Sequence, residues 1–303
     1  MLEIIEKQNT DLLIKVVGVG GAGGNALNHM IREGVQGVEF IAVDTDAQAL
    51  NLCQAASKLL LGKPVAEAER TLIVAQLSGA NMVFIVVGMG SDSGVNAAPA
   101  IAEVARELGI FTIGVVSSPF SFEGRRRRKN AEADISAFVH YVDSLIVIPN
   151  DKLMEMAGED DGVAEYFELA DKAFRNAVGG IAEILSTYGL VGIDLEDVRD
   201  VIMSESGYAM LGYGVASGKD RAQVAARQAI ASPLLAGVNL ASAKGVLTNI
   251  TATRHTLKMK EIGKVMNIVA ECTAKDARIV FGSVYDENMG EQLRVTVVVA
   301  GLG

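Results

Sequence analysis

Cysteine and histidine are scarce in this chain, and the long apolar runs that mark membrane spans are missing. Two cysteines and three histidines occur among 303 residues, and none has the spacing of a metal site. No apolar run approaches the roughly 18 residues that a transmembrane helix needs, and residues 1–10 have no apolar core of signal-peptide length. We therefore expect a cytoplasmic protein with reduced thiols, no metal cluster and no direct membrane contact.

Positive charge is also in short supply. Lys and Arg number 27 against 37 Asp and Glu, which gives a formal net charge of −10. A protein of that charge repels a phosphate backbone, so general nucleic-acid binding is excluded. The remaining composition is that of an ordinary globular protein, and the chain is long enough for two domains with cores of their own.

Strand-like and helix-like segments alternate through the first half of the chain. Short apolar runs such as 12–19 and 82–87 are separated by helical patterns. This order predicts an α/β fold with a mainly parallel, Rossmann-like sheet and a ligand at the carboxyl ends of its strands. A long helical pattern from about 162 to 185 comes next. We predict a nucleotide-binding domain over 11–160, a central helix over 161–188 and a smaller α+β C-terminal domain over 189–303.

A glycine-rich segment follows the first strand. Gly18, Gly20 and Gly23 fit the pattern G-x-G-x-x-G between a strand and a helix. Glycines let the backbone approach an anion, and the amides of a helix N-terminus then point toward it. The residues alone predict a nucleotide site, with a tight structural turn as the alternative. Asp44 ends the second strand, where a carboxylate binds the ribose diol in NAD sites; an NAD-type ligand stays open, although no hydride-transfer constellation is visible.

Seven longer motifs run in order through nearly the whole chain. They are 16–26 (VVGVGGAGGNA), 37–50 (GVEFIAVDTDAQAL), 119–124 (PFSFEG), 148–153 (IPNDKL), 214–218 (GVASG), 232–235 (SPLL) and 293–298 (LRVTVV). Together they resemble the FtsZ family, the tubulin-like GTPases of bacterial cell division. The resemblance implies a tubulin/FtsZ-like fold, GTP or GDP as cofactor with Mg²⁺, and head-to-tail assembly of the protein with itself into cytoskeletal filaments.

The resemblance also implies which residues hold the nucleotide. Phe167, Asp171 and Asn150 match base-side positions, and Glu123 and Arg127 match the ribose side. On the residues alone, Asp171 is more typical of a solvated helix face, and the basic run around Arg127 of an exposed helix start. The implied phosphate-side residues are Gly20, Gly21, Ala22, Gly23, Gly24 and Asn25 in the first loop, and Asp92, Ser93 and Gly94 in a second.

Catalysis in this family is shared between neighbouring subunits. The resemblance implies that Asp194 and Asp197 lie on a loop inserted over the next subunit's nucleotide, where they position and polarise the attacking water. A spacing of three places both on one side of a first helical turn. The alternative is helix capping, with Asp194 as the N-cap. Gly192 stands where the family has asparagine, so this loop is altered.

The phosphate end departs further from the family pattern. Residues 90–96 read GSDSGVN where the family has Gly-Gly-Gly-Thr-Gly-Thr-Gly. Asp92 is then expected where amides should meet phosphate oxygens. Two like charges about 4 Å apart cost roughly 4 kcal/mol at an effective dielectric of about 20, unless a metal cation bridges them. Only 18 residues separate Gly62 from Asn81, so the family loop that senses the terminal phosphate has no counterpart.

These observations predict a divergent FtsZ-like protein that assembles head to tail, with weakened guanine-nucleotide binding and little GTP hydrolysis. Two alternatives stay open. The first is a functional GTPase of bacterial cell division, and the second is a regulatory paralog that co-assembles with or caps an ordinary FtsZ. The sequence ends at Gly303, directly after the last strand, so we expect no adaptor-binding tail.

Overall fold

The computed structural model describes residues 12–156, 162–186, 193–203 and 207–302, and for residues 92–95 it describes the backbone alone. Ten strands lie within these ranges and form one sheet. They are β1 (Ile14–Val19), β2 (Val38–Asp44), β3 (Ser57–Leu60), β4 (Met82–Gly88), β5 (Phe111–Ser118), β6 (Ser144–Pro149), β7 (Tyr208–Ser217), β8 (Gly245–Ala252), β9 (Arg278–Tyr285) and β10 (Gln292–Ala300). Their order across the sheet is β3-β2-β1-β4-β5-β6-β7-β10-β8-β9.

Helices connect the strands and cover both faces of the sheet. They are α1 (Gly20–Arg32), α2 (Ala47–Leu52), α3 (Glu67–Leu77), α4 (Asp92–Glu107), α5 (Arg125–Phe138), α6 (Asn150–Met154), α7 (Val163–Ser186), α8 (Leu195–Ile202), α9 (Arg221–Ile230) and α10 (Met259–Cys272). Among the described helices, none is long and apolar enough to cross a membrane. The described residues also contain no group of three His, Cys, Asp or Glu side chains placed to hold a metal ion.

The first six strands are all parallel, as expected where helices link successive strands. β1 and β4 are buried along their length because successive side chains enter cores on opposite faces. In β1, Val16 packs with α1 and α7, whereas Val17 packs with α3 and α4. The predicted mainly parallel sheet is therefore confirmed.

Mixed pairing begins where the sheet continues into the C-terminal half. β7 joins β6 through two parallel register pairs and runs antiparallel to β10, which is also antiparallel to β8. The predicted long helix is confirmed as α7, which packs against β5, β6, β8, β9 and β10. It links the two halves, while the predicted domain boundaries at 160 and 188 stay a prediction.

Strand β7 is not predicted by the sequence pattern. Its glycines explain the omission, since glycine weakens a strand pattern. A Cβ atom on Gly212 would lie 2.1 Å from the carbonyl oxygen of Ala229, and one on Gly214 would lie 2.3 Å from that of Ala225. The strand therefore needs glycine at both positions so that α9 can pack directly onto its backbone.

A candidate nucleotide site at the carboxyl edge of the sheet

The carboxyl ends of the parallel strands meet at one edge of the sheet. The register pairs Val19 with both Val43 and Val87, so β1, β2 and β4 end level with one another. Ser118 pairs with Pro149, which aligns the ends of β5 and β6. The segments that follow these five strands are therefore neighbours, and most of the predicted nucleotide residues belong to them.

The glycine-rich turn begins helix α1. The sequence pattern predicts a helix from Asn25, but α1 starts at Gly20, which has a positive φ of 70°, so the glycines form the first turns of the helix. A Cβ on Gly23 would lie 2.6 Å from the Val86 carbonyl oxygen, whereas Gly21 and Gly24 have nothing within 4 Å. Gly23 therefore serves the packing, and the backbone at Gly21 and Gly24 is open for a ligand to approach.

A small cavity of about 100 Å³ lies between this turn, β2 and α2. Asp44 lines it, and its Oδ1 accepts the backbone N–H groups of Thr45 at 2.7 Å and Asp46 at 3.2 Å. Cys53 closes the opposite side, with Sγ 3.8 Å from the Gly24 carbonyl oxygen. Both cysteines of the chain are free thiols. Sequence reasoning missed the contact of Cys53 with the glycine turn, because no local pattern links residues so far apart.

The second predicted phosphate loop lies beside the first. A Cβ on Gly88 would lie 2.7 Å from the Cβ of Ala22, so the end of β4 touches the glycine turn. The three predicted residues of this loop, Asp92, Ser93 and Gly94, are the first residues of helix α4. The Asp92 side chain is not among those that the structure describes, so its predicted approach to phosphate stays a prediction.

The connection from β3 to α3 is short and folded against its own helix. Only the six residues 61–66 join the two elements. The Glu69 carboxylate accepts the N–H groups of Gly62 and Ala66, both at 2.7 Å. Both amides are thus satisfied within the connection, and no long loop extends from it toward the glycine turn.

Glu123 and Arg127, the predicted ribose-side residues, are held together. Glu123 Oε2 lies 2.7 Å from Arg127 Nη1, and its Oε1 accepts the Phe120 N–H at 2.9 Å. The Glu123 side chain is only 13% exposed, whereas that of Arg127 is 48% exposed. The pair therefore has a fixed carboxylate and a cation that can reach a ligand.

Aromatic rings line the base side. Phe120 is fully buried, and Phe167 packs edge-on against it with ring centroids 5.4 Å apart. Phe122 stacks on Phe120 at 5.0 Å and is 55% exposed. Sequence reasoning gave no role to Phe120 and Phe122, although two phenylalanines directly after a parallel strand could have indicated them. Phe167 is 45% exposed, so one face of this aromatic cluster is free to pack against a planar ring.

Two polar side chains near these rings accept no hydrogen bond from the described residues. Asn150, at the start of α6, is 5% exposed, and its buried Oδ1 accepts no hydrogen bond. Asp171 lies one turn after Phe167 on α7. Burial raises the pKa of Asp171 to about 6, against an opposing effect of Arg32 and with a smaller contribution from Glu168. A buried acceptor without a donor is costly, and a ligand with two N–H groups would satisfy it.

The predicted catalytic pair lies in the other half of the molecule. Asp194 is the N-cap of α8 and accepts the Asp197 N–H at 2.9 Å, which is the geometry of the capping alternative. Asp197 pairs with Arg278 of β9 at 3.3 Å, and Asp200 pairs with the same arginine. Because α8 packs on β8, β9 and β10, the fold does not bring this pair to the glycine turn of its own subunit. Gly192 lies outside the described residues.

Two family descriptions match the halves of the chain. Residues 13–158 match the Tubulin/FtsZ family, GTPase domain, and residues 207–303 match the FtsZ family, C-terminal domain. The fold is thus that of the tubulin-like class of proteins. The chain belongs to the FtsZ family within that class, as its motifs predicted.

Individual relatives agree with this assignment. The chain is 45% identical to the cell division protein FtsZ of Coxiella burnetii and 43% identical to that of Buchnera aphidicola from Schizaphis graminum. Each match covers the whole chain and 82% of the relative. An empty FtsZ dimer from M. jannaschii is 34% identical with a TM-score of 0.89, covering 97% of this chain and 89% of that one. A GTPγS-bound CetZ2 protofilament from Haloferax volcanii, 19% identical with a TM-score of 0.75 over 96% and 93% of the chains, shares the fold.

Proposed function

We propose that this protein is an FtsZ-like filament protein that binds guanine nucleotides at the carboxyl edge of its sheet, with weakened phosphate contacts and little GTP hydrolysis. The observation that carries the proposal is the Asp171 carboxylate, whose pKa burial raises to about 6, one helical turn from the exposed Phe167 ring. Such a site suits a planar base that presents two neighbouring N–H groups, as guanine does.

The base end of the cleft supports guanine in particular. The Asp171 carboxylate can accept both the ring N–H and the exocyclic amine of that base, whereas adenine offers no such pair on one edge. The Asn150 side chain, whose Oδ1 has no donor, supplies a further polar group. The position of Glu123 and Arg127 supports a sugar contact, because they follow the strand next to the one that Asn150 follows.

The phosphate end supports only weak binding of the terminal phosphates. In the six-residue connection after β3, the Gly62 and Ala66 amides donate to Glu69 and are not available to a ligand. The division proteins are matched over 319 aligned positions, and 303 of these are residues of this chain, so at least 16 residues of each relative have no counterpart here. A shortened phosphate loop is consistent with that difference. When bound, Mg²⁺ would supply positive charge that offsets a carboxylate near the phosphates.

The position of Asp194 and Asp197 supports head-to-tail assembly. Both lie on the half of the sheet far from the glycine turn, so they can meet a nucleotide only when a second subunit stacks on the first. A solved relative is a dimer, and another is a protofilament. The retained carboxylate pair and the 42–45% identity to division proteins favour a functional GTPase as the second candidate.

The proposal is tested with nucleotide-stripped protein. Sedimentation and electron microscopy without nucleotide, with GDP, and with GTP and Mg²⁺ would measure assembly, and phosphate release would measure hydrolysis. We expect filaments in all three conditions and release near background. Rapid release that is lost in Asp197→Ala but kept in the matched control Glu196→Gln would establish the functional GTPase instead. Assembly only together with an ordinary FtsZ would indicate the regulatory paralog.

A further inference from the structure

The loop after β4 is fixed by one face of helix α5. Gly90 in this loop has a positive φ of 79°, and a Cβ there would lie 2.7 Å from the Arg127 carbonyl oxygen and 3.2 Å from the Ala131 Cβ. Asp134 is the next residue on the same helical face, because positions i, i+4 and i+7 align. Its Oδ2 accepts the Gly90 N–H at 3.1 Å. Three residues of α5 therefore contact Gly90, two by close packing and one by a hydrogen bond.

The Asp134 carboxylate has no cation to neutralise it among the described residues. It is only partly exposed, and its one hydrogen bond is that from Gly90. Burial raises the pKa of Asp134, while the bond from Gly90 opposes that change. Asp134 is thus a partly exposed carboxylate whose hydrogen bond within the described structure is the one from the Gly90 amide.

The same loop borders the glycine-rich turn. Gly88, two residues before Gly90, packs so closely against Ala22 that a Cβ would approach to 2.7 Å. A phosphate chain extending from the Gly21 and Gly24 backbone toward this loop would meet an amide that is already bonded. The Asp134 carboxylate that accepts this N–H adds negative charge on the donor side of the amide.

We propose that Asp134 is a specificity-determining residue that disfavours terminal phosphates by accepting the Gly90 N–H and placing negative charge beside it. The inference rests on the proposed function and deepens it, because it selects among guanine nucleotides. The favoured ligands are then guanosine and guanosine diphosphate, not the triphosphate. Asp134 acts through the Gly90 backbone and contacts no reacting atom.

The test compares the dissociation constants of GDP and GTP, each with Mg²⁺, for four forms of the protein. Asp134→Ala frees the amide and removes the charge, so we expect the affinity for GTP relative to GDP to rise about tenfold, the value of one hydrogen bond to a charged group. Asp134→Asn keeps an acceptor for the amide but loses the charge, so a smaller rise is expected. Glu132→Gln, on an exposed position of the same helix, removes the same charge elsewhere and should leave the ratio unchanged.

Hydrogen exchange of the Gly90 amide provides a second readout. It should be protected in the unaltered protein, faster in Asp134→Ala, and protected again when GTP binds that variant. An unchanged GTP-to-GDP ratio in both Asp134 variants would overturn the inference, as would an equal change in Glu132→Gln. Guanosine binding is measured in parallel, because its absence from the unaltered protein would show that the proposed function itself had failed.

Discussion

The two ends of the candidate cleft differ in how their polar groups are satisfied. At the proposed base end, Asp171 and the buried oxygen of Asn150 accept no hydrogen bond from the described residues. In the connections after β3 and β4, the amides of Gly62 and Gly90 already donate to Glu69 and Asp134. Unsatisfied buried groups carry a free-energy cost that a ligand can remove, whereas satisfied amides have little to offer. The contrast supports the proposal of a site that holds its ligand by the base.

The largest expected effect is that of Asp171→Asn on nucleotide affinity. The change removes a charged acceptor for two N–H groups, so we expect GDP and guanosine to bind roughly 100-fold more weakly. Calorimetric titration measures the loss. The matched control is Glu165→Gln, an exposed carboxylate on the same helix, which should bind nucleotides normally. Equal binding by Asp171→Asn and the unaltered protein would place the base elsewhere.

The same substitution should stabilise the nucleotide-free protein. The Asp171 pKa is about 6 in the folded state, above its ordinary 3.8, so keeping this group ionised at pH 7.5 costs folding free energy. That cost vanishes as pH falls through 6 toward 4, and Asn removes it at every pH. After discounting for partial exposure, we expect a gain of about 1–2 kcal/mol at pH 7.5. Urea unfolding at pH 7.5 and pH 4.5 would measure it, and a loss of stability would contradict the assignment.

A pH change should weaken binding by a smaller factor. Protonated Asp171 accepts fewer hydrogen bonds, so guanosine affinity should fall about tenfold between pH 7 and pH 5, given the pKa of about 6. The measurement is a guanosine titration at half-unit pH steps. The Asp171→Asn variant should show a flat profile, and a parallel fall in that variant would assign the pH effect to another group.

Smaller still is the expected effect of a methyl group at the phosphate end. Gly21→Ala adds a Cβ in open space, so folding should be unaffected, and we expect GDP affinity to fall less than about threefold because the phosphates contribute little. Gly23→Ala, which meets the Val86 carbonyl oxygen at 2.6 Å, should instead destabilise the fold by about 1–3 kcal/mol. A loss of GDP affinity beyond about thirtyfold in Gly21→Ala would show that phosphate contacts dominate.

The smallest effect concerns assembly. Subunits of net charge −10 repel one another, and added salt screens that repulsion. Filament yield by sedimentation should therefore rise modestly from low to physiological ionic strength. A steady fall over that range would mean that attractive charge pairs between subunits outweigh the net repulsion.

Local sequence patterns predicted most strands and helices but not the contacts between residues far apart in the chain. Apolar runs such as Met82–Gly88 and the periodicity of Val163–Ser186 identified β4 and α7, because burial on both faces leaves a continuous apolar signal. The glycines of β7 weakened that signal, since they serve packing with α9. The hydrogen bond between Gly90 and Asp134 joins residues 44 apart, and no spacing rule can find it.

For the candidate site, too, the sequence indicated residues but not the contacts that surround them. The roles of Phe167 and Asp171 are implied by the family resemblance and stay a prediction, and helical spacing explains why the two residues share one face. The lack of a partner for Asp171 and its raised pKa depend on what α1 and α7 bury together, which only the folded chain defines. The catalytic role of Asp194 and Asp197 stays a prediction, because their observed hydrogen bond is that of a helix cap.

Whether the base or the phosphates supply the affinity is decided by a calorimetric series of guanosine, GDP and GTP on the nucleotide-stripped protein, with and without Mg²⁺. If the base end provides the affinity, all three ligands bind, and their dissociation constants agree within about tenfold, with GTP no tighter than GDP. If GTP instead binds at least about 100-fold more tightly than guanosine, and only with Mg²⁺, the phosphate end contributes most of the binding and the proposed base-held site is wrong.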